Sequence, residues 1–151
     1  MKKDIIGLLT SKNNKEACCC VEKIISDSKS SNQWYEYFDD VASLLNHESS
    51  LVRNRAIGIL SANAKWDKKN KFNEIIDNYL LHVVDDKPIT SRQCIKSLKE
   101  IVDAKPELIE KILKVLQTAE LSKYKDSMKP LIEKDILEIV SYIKKFADRE
   151  R

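Results

Sequence analysis

The sequence predicts an all-α fold, an α–α superhelix of about three stacked helix pairs with a short N-terminal helical cap. Glycine and proline occur only 2 and 3 times in 151 residues, far below their usual shares of about 7% and 5%. The chain therefore lacks the turn residues that β-hairpins need. Apolar residues recur at helical spacing along most of the chain. A stretch of similar pattern recurs 38 positions later, which indicates a structural repeat.

The repeat relates residues 51–60, LVRNRAIGIL, to residues 89–98, ITSRQCIKSL. The apolar or small residues of the first stretch align with those of the second: Leu51 with Ile89, Ala56 with Cys94, Ile57 with Ile95 and Leu60 with Leu98. A further step of 38 from Leu98 reaches Ile136, although the start of that third copy matches poorly. Recurrent apolar positions with variable polar ones are typical of repeats that stack on one another.

The cap is expected over residues 1–30. A first helix covers about residues 3–9. A second covers about 15–26, after Asn13 and Asn14, which suit the N-cap position.

The first helix pair is expected over residues 31–64. Its first helix covers about 32–45, because Trp34 and Phe38 begin an apolar stripe at i, i+4 and i+7 spacing. Its second helix, about 51–62, contains the repeat stretch. A short connection between the two helices predicts that they run antiparallel.

The second pair is expected over residues 70–103. Its first helix, about 71–84, is amphipathic and places His82 on its polar face. Its second helix, about 89–103, is expected to bury the following apolar residues: Ile89, Cys94, Ile95, Leu98, Ile101 and Val102. Asp85 and Asp86 precede Pro88, where carboxylates favour the positive end of a helix.

The third pair is expected over residues 105–148. Helices cover about 106–118 and 129–148, joined by a loop whose Leu121 and Tyr124 fold back on the core. The last helix is expected to bury these apolar residues: Ile132, Ile136, Ile139, Val140, Ile143 and Phe146.

Composition excludes several functional classes. The charge is balanced at 27 basic against 24 acidic residues, which indicates neither a nucleic-acid nor a membrane partner. The only glycines, Gly7 and Gly58, form no phosphate-binding loop. The only histidines, His47 and His82, have no catalytic partners at recognisable spacing. We expect no signal peptide, because Asp4 interrupts the basic start and the apolar stretch after it is short. No apolar run approaches the roughly 20 residues of a membrane span. We expect a cytoplasmic, soluble protein that is not an enzyme and uses no cofactor.

The four cysteines do not form a metal or disulfide motif. Cys18, Cys19 and Cys20 are consecutive, so on a helix their side chains fan out by about 100° each and cannot converge on one ion. Cys94 aligns with Ala56. We interpret all four as small apolar side chains in a reducing compartment, with no metal site.

The period and patterning resemble HEAT repeats over roughly residues 32–146. The residues most similar to the start of the second helix in a HEAT unit are Val52, Arg53, Ala56 and Leu60. Asp86 is similar to that family's acidic turn residue, whereas Ser91 stands where the first copy has Arg53. The terminal sequence 124–136 resembles the end of small bacterial HEAT-like proteins.

The resemblance implies a stack whose second helices line a concave surface that holds a protein or, less often, nucleic acid. The candidate binding residues on second helices are Asn54, Arg92, Lys96, Lys99 and Lys134, and Glu138 and Lys145 could extend their row. Trp66, between lysines, either packs over a repeat junction or stacks on a base or partner side chain. Replacing Arg92 with glutamate is expected to leave the chain folded.

Three functions fit these observations. The leading one is a non-enzymatic interaction or scaffold module with a protein partner. The alternative is a nucleic-acid-binding protein, since the resemblance extends to HEAT-like alkylpurine DNA glycosylases. The third is a subunit or regulator of a larger enzyme.

Overall fold

A computed structural model describes residues 4–149, which form α-helices and short 3₁₀ turns without any strand. Within that range the α-helices are α1 Ile5–Leu9, α2 Asn14–Ser28, α3 Phe38–Ala42, α4 Ser50–Ala62, α5 Lys71–Leu80, α6 Pro88–Ala104, α7 Ile109–Gln117 and α8 Lys129–Arg149. The predicted all-α class is confirmed. The start of the helix predicted over 3–9 lies partly outside the described residues.

The helix predicted over 32–45 is wrong in its extent. A 3₁₀ turn, Tyr35–Tyr37, precedes the short α3. Trp34 packs on Tyr37 with ring centroids 5.5 Å apart, and Tyr35 packs on Phe38 at 5.7 Å. Both pairs are three residues apart, and side chains at that spacing eclipse in a 3₁₀ turn. Aromatic packing therefore favours the tighter turn here.

Three further 3₁₀ turns adjust the predicted helix ends. The helix predicted over 71–84 ends as a 3₁₀ turn, Leu81–Val84, after α5. The helix predicted over 106–118 begins as another, Pro106–Leu108, before α7. The third, Ala64–Trp66, lies in the polar break before α5. Such turns are common at helix ends, so they shift element bounds and leave the order of helices as predicted.

The chain divides into two compact units, Met1–Ile75 and Ile76–Arg151. The division falls within α5. The predicted repeat units over 31–64, 70–103 and 105–148 stay a prediction.

In the first unit α2 and α4 run parallel. Arg55, in the middle of α4, donates from Nη2 to Asn14 Oδ1 at the start of α2, at 3.1 Å. Asn63, just after α4, donates from Nδ2 to Ser28 Oγ at the end of α2, at 3.1 Å. The contacts therefore advance along α2 and α4 in the same direction, as they do in a parallel pair of helices. α1 contacts α2, α3 and α4, and α3 also packs on α4. The predicted burial of Leu60 is confirmed, with 1% of its surface exposed.

In the second unit α6 and α8 run parallel and pack on one another. Arg92 of α6 pairs with Asp135 of α8, and Lys99 pairs with Tyr142, so both contacts span 43 positions. This constant spacing means that α6 and α8 run in the same direction. Asp77 of α5 pairs with Lys111 of α7 across 34 positions. α5 and α7 are therefore joined by a surface ion pair, whereas α6 and α8 form a packed pair.

The core of the second unit follows most of the predicted pattern. Leu121 and Tyr124 are buried as expected, and the Tyr124 hydroxyl donates to the Asp85 carbonyl at 2.5 Å. Burial raises the pKa of Tyr124. The predicted burial of Ile89 is wrong, since 67% of its surface is exposed. It lies in the first turn of α6. On α8, three of the residues predicted to be buried are only half-buried: Ile136, Val140 and Phe146.

Candidate interaction surface in the second unit

One face of α6 carries Arg92, Lys96 and Lys99, as their i, i+4 and i+7 spacing predicts. Lys96 and Lys99 are exposed. Arg92 differs, because its Nε donates to Asp135 Oδ2 at 2.7 Å and its Nη2 to Oδ1 at 3.4 Å. The side chain of Asp135 is only 3% exposed. A buried carboxylate is costly unless a positively charged side chain pairs with it, and Arg92 is that partner here. The prediction that Arg92 simply faces solvent is therefore wrong.

Tyr142 of α8 organises the next part of this face. Lys99 Nζ lies 5.1 Å from its ring centroid, and the guanidinium carbon of Arg149 lies 5.9 Å from it. The Tyr142 hydroxyl donates to Asp103 Oδ1. That hydrogen bond raises the pKa of Tyr142. The hydrogen bonds from Arg92 to Asp135 likewise raise the pKa of Arg92. Lys99 therefore contacts an aromatic ring while remaining at the surface.

The α8 depression is a shallow hollow of about 430 Å³ beside this face. Its lining residues all belong to α8: Lys134, Leu137, Glu138, Ser141, Tyr142 and Lys145. Leu137 is 68% exposed. Lys134 and Lys145 lie at its two ends, about 16 Å apart along the helix, and neither has an ion pair within residues 4–149. The depression therefore joins an apolar centre to cationic ends.

Asn54 and Trp66, the other two predicted binding residues, belong to the first unit. Asn54 is half-buried on α4. The indole N–H of Trp66 donates to the Ser28 carbonyl at 2.7 Å, and Lys65 Nζ lies 5.2 Å from the indole ring. A carbonyl at the end of α2 thus gains a donor. This contact supports the packing interpretation of Trp66.

The cysteines lie in different environments. Cys18 and Cys19 are exposed, Cys20 is partly exposed, and Cys94 is buried. Cys94 packs in the core as a small apolar side chain would, whereas Cys18 and Cys19 lie at the surface. The charge of Glu22 raises the pKa of Cys18, and burial raises that of Cys94. Within the described residues, no group of three or more potential ligands is placed to hold a metal ion.

Sequence reasoning missed two features of the second unit. His82, predicted on a polar face, is buried, with Nδ1 2.8 Å from Asp85 Oδ2. Asp85 Oδ1 also accepts from the Lys87 amide at 2.9 Å, so this pair holds the turn before α6. Leu137 was missed as well. It is an apolar residue outside the buried stripe of Ile132, Ile139 and Ile143, and an apolar residue off the stripe is a signal that the sequence already contains.

Comparisons with protein-family models, with curated proteins and with solved structures find no match for this chain. Between residues 4 and 149, no helix combines the length and hydrophobicity that crossing a membrane requires. Function is therefore inferred from the side chains and their geometry.

Proposed function

We propose that the chain is a non-enzymatic protein-binding module built from HEAT-like helix pairs, and that it binds its partner on the α8 depression. The observation that carries this proposal is Leu137, which is 68% exposed at the centre of a hollow with cationic ends. An exposed apolar patch with a polar rim is typical of a protein interface, and here Leu137 and the ring of Tyr142 provide the apolar part of the lining.

The charges around the depression favour an acidic partner. Lys134 and Lys145 flank Leu137, and Lys96 lies exposed on the neighbouring α6. Glu138 is the one carboxylate among the lining residues. A partner segment with one apolar side chain over Leu137 and carboxylates near the two lysines complements this arrangement. About three helical turns of such a segment span the 16 Å between the lysines, at roughly 5.4 Å per turn.

Nucleic acid fits this face less well. Arg92 already holds Asp135, and Lys99 contacts the ring of Tyr142. Glu138 adds a negative charge inside the row. Phosphate binding depends on cations that are free to replace counterions. The alkylpurine glycosylase alternative therefore has less support than a protein partner.

The test uses the full chain and two designed helical peptides of about 14 residues. The acidic peptide carries a central leucine and flanking glutamates, and the control peptide carries lysines instead. We expect the acidic peptide to shift the NMR signals of Leu137 and Tyr142 in a saturable way, with little effect from the control peptide. Leu137→Glu should weaken binding at least tenfold, because it removes the apolar contact and adds a repelling charge.

Lys144→Glu provides a matched control, since Lys144 is exposed on α8 outside the depression. It should retain binding within about twofold, because screening weakens charges that lie away from the contact. Equal affinity of Leu137→Glu and the wild-type chain would refute the proposal. Duplex DNA binding that falls steeply with salt and is lost in Lys134→Glu would favour the nucleic-acid alternative instead.

A further inference from the structure

A second hollow in the second unit, the α5/α7 groove, has a volume of about 520 Å³ and shares no residue with the α8 depression. It is lined by α5 and the 3₁₀ turn that follows it on one side, and by α7 and the residues that follow it on the other. Its apolar lining comprises Leu80, Leu81, Val84, Val115 and Ala119. Leu81 is 65% exposed, so the groove presents an uncovered apolar surface.

The local fold creates this groove. After α5 the chain tightens into the 3₁₀ turn Leu81–Val84. Residues three apart eclipse in such a turn, so Leu81 and Val84 lie one above the other on one wall. Asp77 on α5 and Lys111 on α7 also line the groove, and Lys111 Nζ lies 3.2 Å from Asp77 Oδ1.

The remaining charges give the groove a polarity. Asp77 and Lys111 neutralise one another. Lys114 on the α7 wall and Glu120 at the far end also line the groove, and neither has an ion pair within the described part of the chain. They are six positions apart, with Lys114 on α7 and Glu120 three residues beyond its end. The groove thus offers a cation, an apolar wall and an anion in sequence.

We propose that the α5/α7 groove binds a short amphipathic helix of a protein partner. Two apolar side chains one turn apart would cover Leu81 and Val115, with a carboxylate facing Lys114 and a basic side chain facing Glu120. Helices bind in grooves through apolar anchors at this spacing. The volume also falls within the roughly 300–1,000 Å³ of small-molecule pockets. Such pockets place a few polar groups to fix their ligand, whereas the charged groups here lie at the exposed rim.

The inference stands apart from the α8 depression, because the two surfaces use different residues and different helices. With both occupied, the second unit would hold two partner segments at once. That is the property of a scaffold, which a single binding face does not provide.

The test measures the affinity of two labelled helical peptides of about 15 residues for the full chain by fluorescence anisotropy. Peptide A carries Glu, two leucines four residues apart and Lys, in that order along one face. Peptide B is identical except that Lys replaces the Glu. We expect wild-type protein to bind peptide A at least tenfold more tightly than peptide B.

Variants of the protein locate the binding. Leu81→Glu should lower the affinity of the protein for peptide A at least tenfold. Lys114→Glu should reverse the preference, so that peptide B binds more tightly than peptide A. Leu137→Glu should leave both affinities within twofold, which separates this groove from the α8 depression. Lys114 is exposed, so Lys114→Glu carries the test if Leu81→Glu perturbs the circular dichroism spectrum.

Two results would overturn the inference. In the first, Lys114→Glu leaves the ratio of the two affinities unchanged. In the second, sedimentation shows a wild-type dimer that Leu81→Glu dissociates, which would make a second copy of the chain the occupant of the groove.

Discussion

Replacing Asp67 with alanine removes a carboxylate that joins three segments of the first unit. Oδ1 accepts from the Lys71 amide at 2.9 Å and from the Tyr35 hydroxyl, and Oδ2 accepts from the Phe72 amide at 2.8 Å. The two amides belong to the first turn of α5, where the helix supplies no acceptors of its own. Asp67 is only 4% exposed. Water therefore replaces the lost carboxylate poorly.

The magnitude follows from these contacts. Loss of a helix cap costs about 0.5–2 kcal/mol, and loss of a hydrogen bond to a charged acceptor costs about 1.5–3 kcal/mol. Together they predict that the free energy of unfolding falls by roughly 2–5 kcal/mol. At about 2–4 °C per kcal/mol for a chain of this size, the melting temperature falls by about 4–20 °C.

Thermal and urea denaturation followed by circular dichroism would measure this change. Asp39→Ala is the matched control, because Asp39 also binds Lys71, at 3.0 Å through Nζ, but its side chain is 77% exposed. A surface pair of that kind contributes about 0–1 kcal/mol. Tyr35→Phe removes one bond to Asp67 and should give an intermediate loss. The reasoning fails if Asp67→Ala is no more destabilising than Asp39→Ala.

Three further predictions concern individual side chains. Arg92→Glu would place a carboxylate against the buried Asp135, so its urea midpoint should fall below that of Arg92→Gln, and equal midpoints would contradict the importance of this pair. Because burial raises the pKa of Cys94, a thiol reagent at pH 8 should modify it only after unfolding, as peptide mass mapping can show. Glu22→Gln should speed modification of Cys18, since Glu22 raises the pKa of that thiol and the thiolate is the reactive form. An unchanged rate would mean that this charge does not control the thiol.

Much of the fold was predictable because the helical period is a local property. The spacing around Leu60 and Leu98 marks two buried helix faces, and both residues are buried as predicted. The same reasoning failed for Leu51 and Ile89, which align in the repeat and yet are 47% and 67% exposed. Recurrence shows that a position is similar in two copies. It does not show that a neighbour covers that position.

The candidate sites were less predictable, because they depend on contacts between distant helices. Helical spacing placed Lys96 and Lys99 correctly at the surface. It could not reveal that Arg92 holds Asp135, 43 positions away. The α5/α7 groove likewise needs a 3₁₀ turn to expose Leu81 and a second helix to provide the opposite wall. The apolar period of a single helix predicts neither the 3₁₀ turn nor the second helix.

The constant spacing between α6 and α8 bears on how such a chain tolerates insertions during evolution. One residue inserted within α6 after Arg92 would rotate the rest of that helix by about 100° and separate Lys99 from Tyr142 while the pair of Arg92 and Asp135 remained. The same residue inserted between α7 and α8 would lengthen a connection and leave both pairs intact. In related sequences, insertions and deletions should therefore occur in the connections between helices and not within α6 or α8.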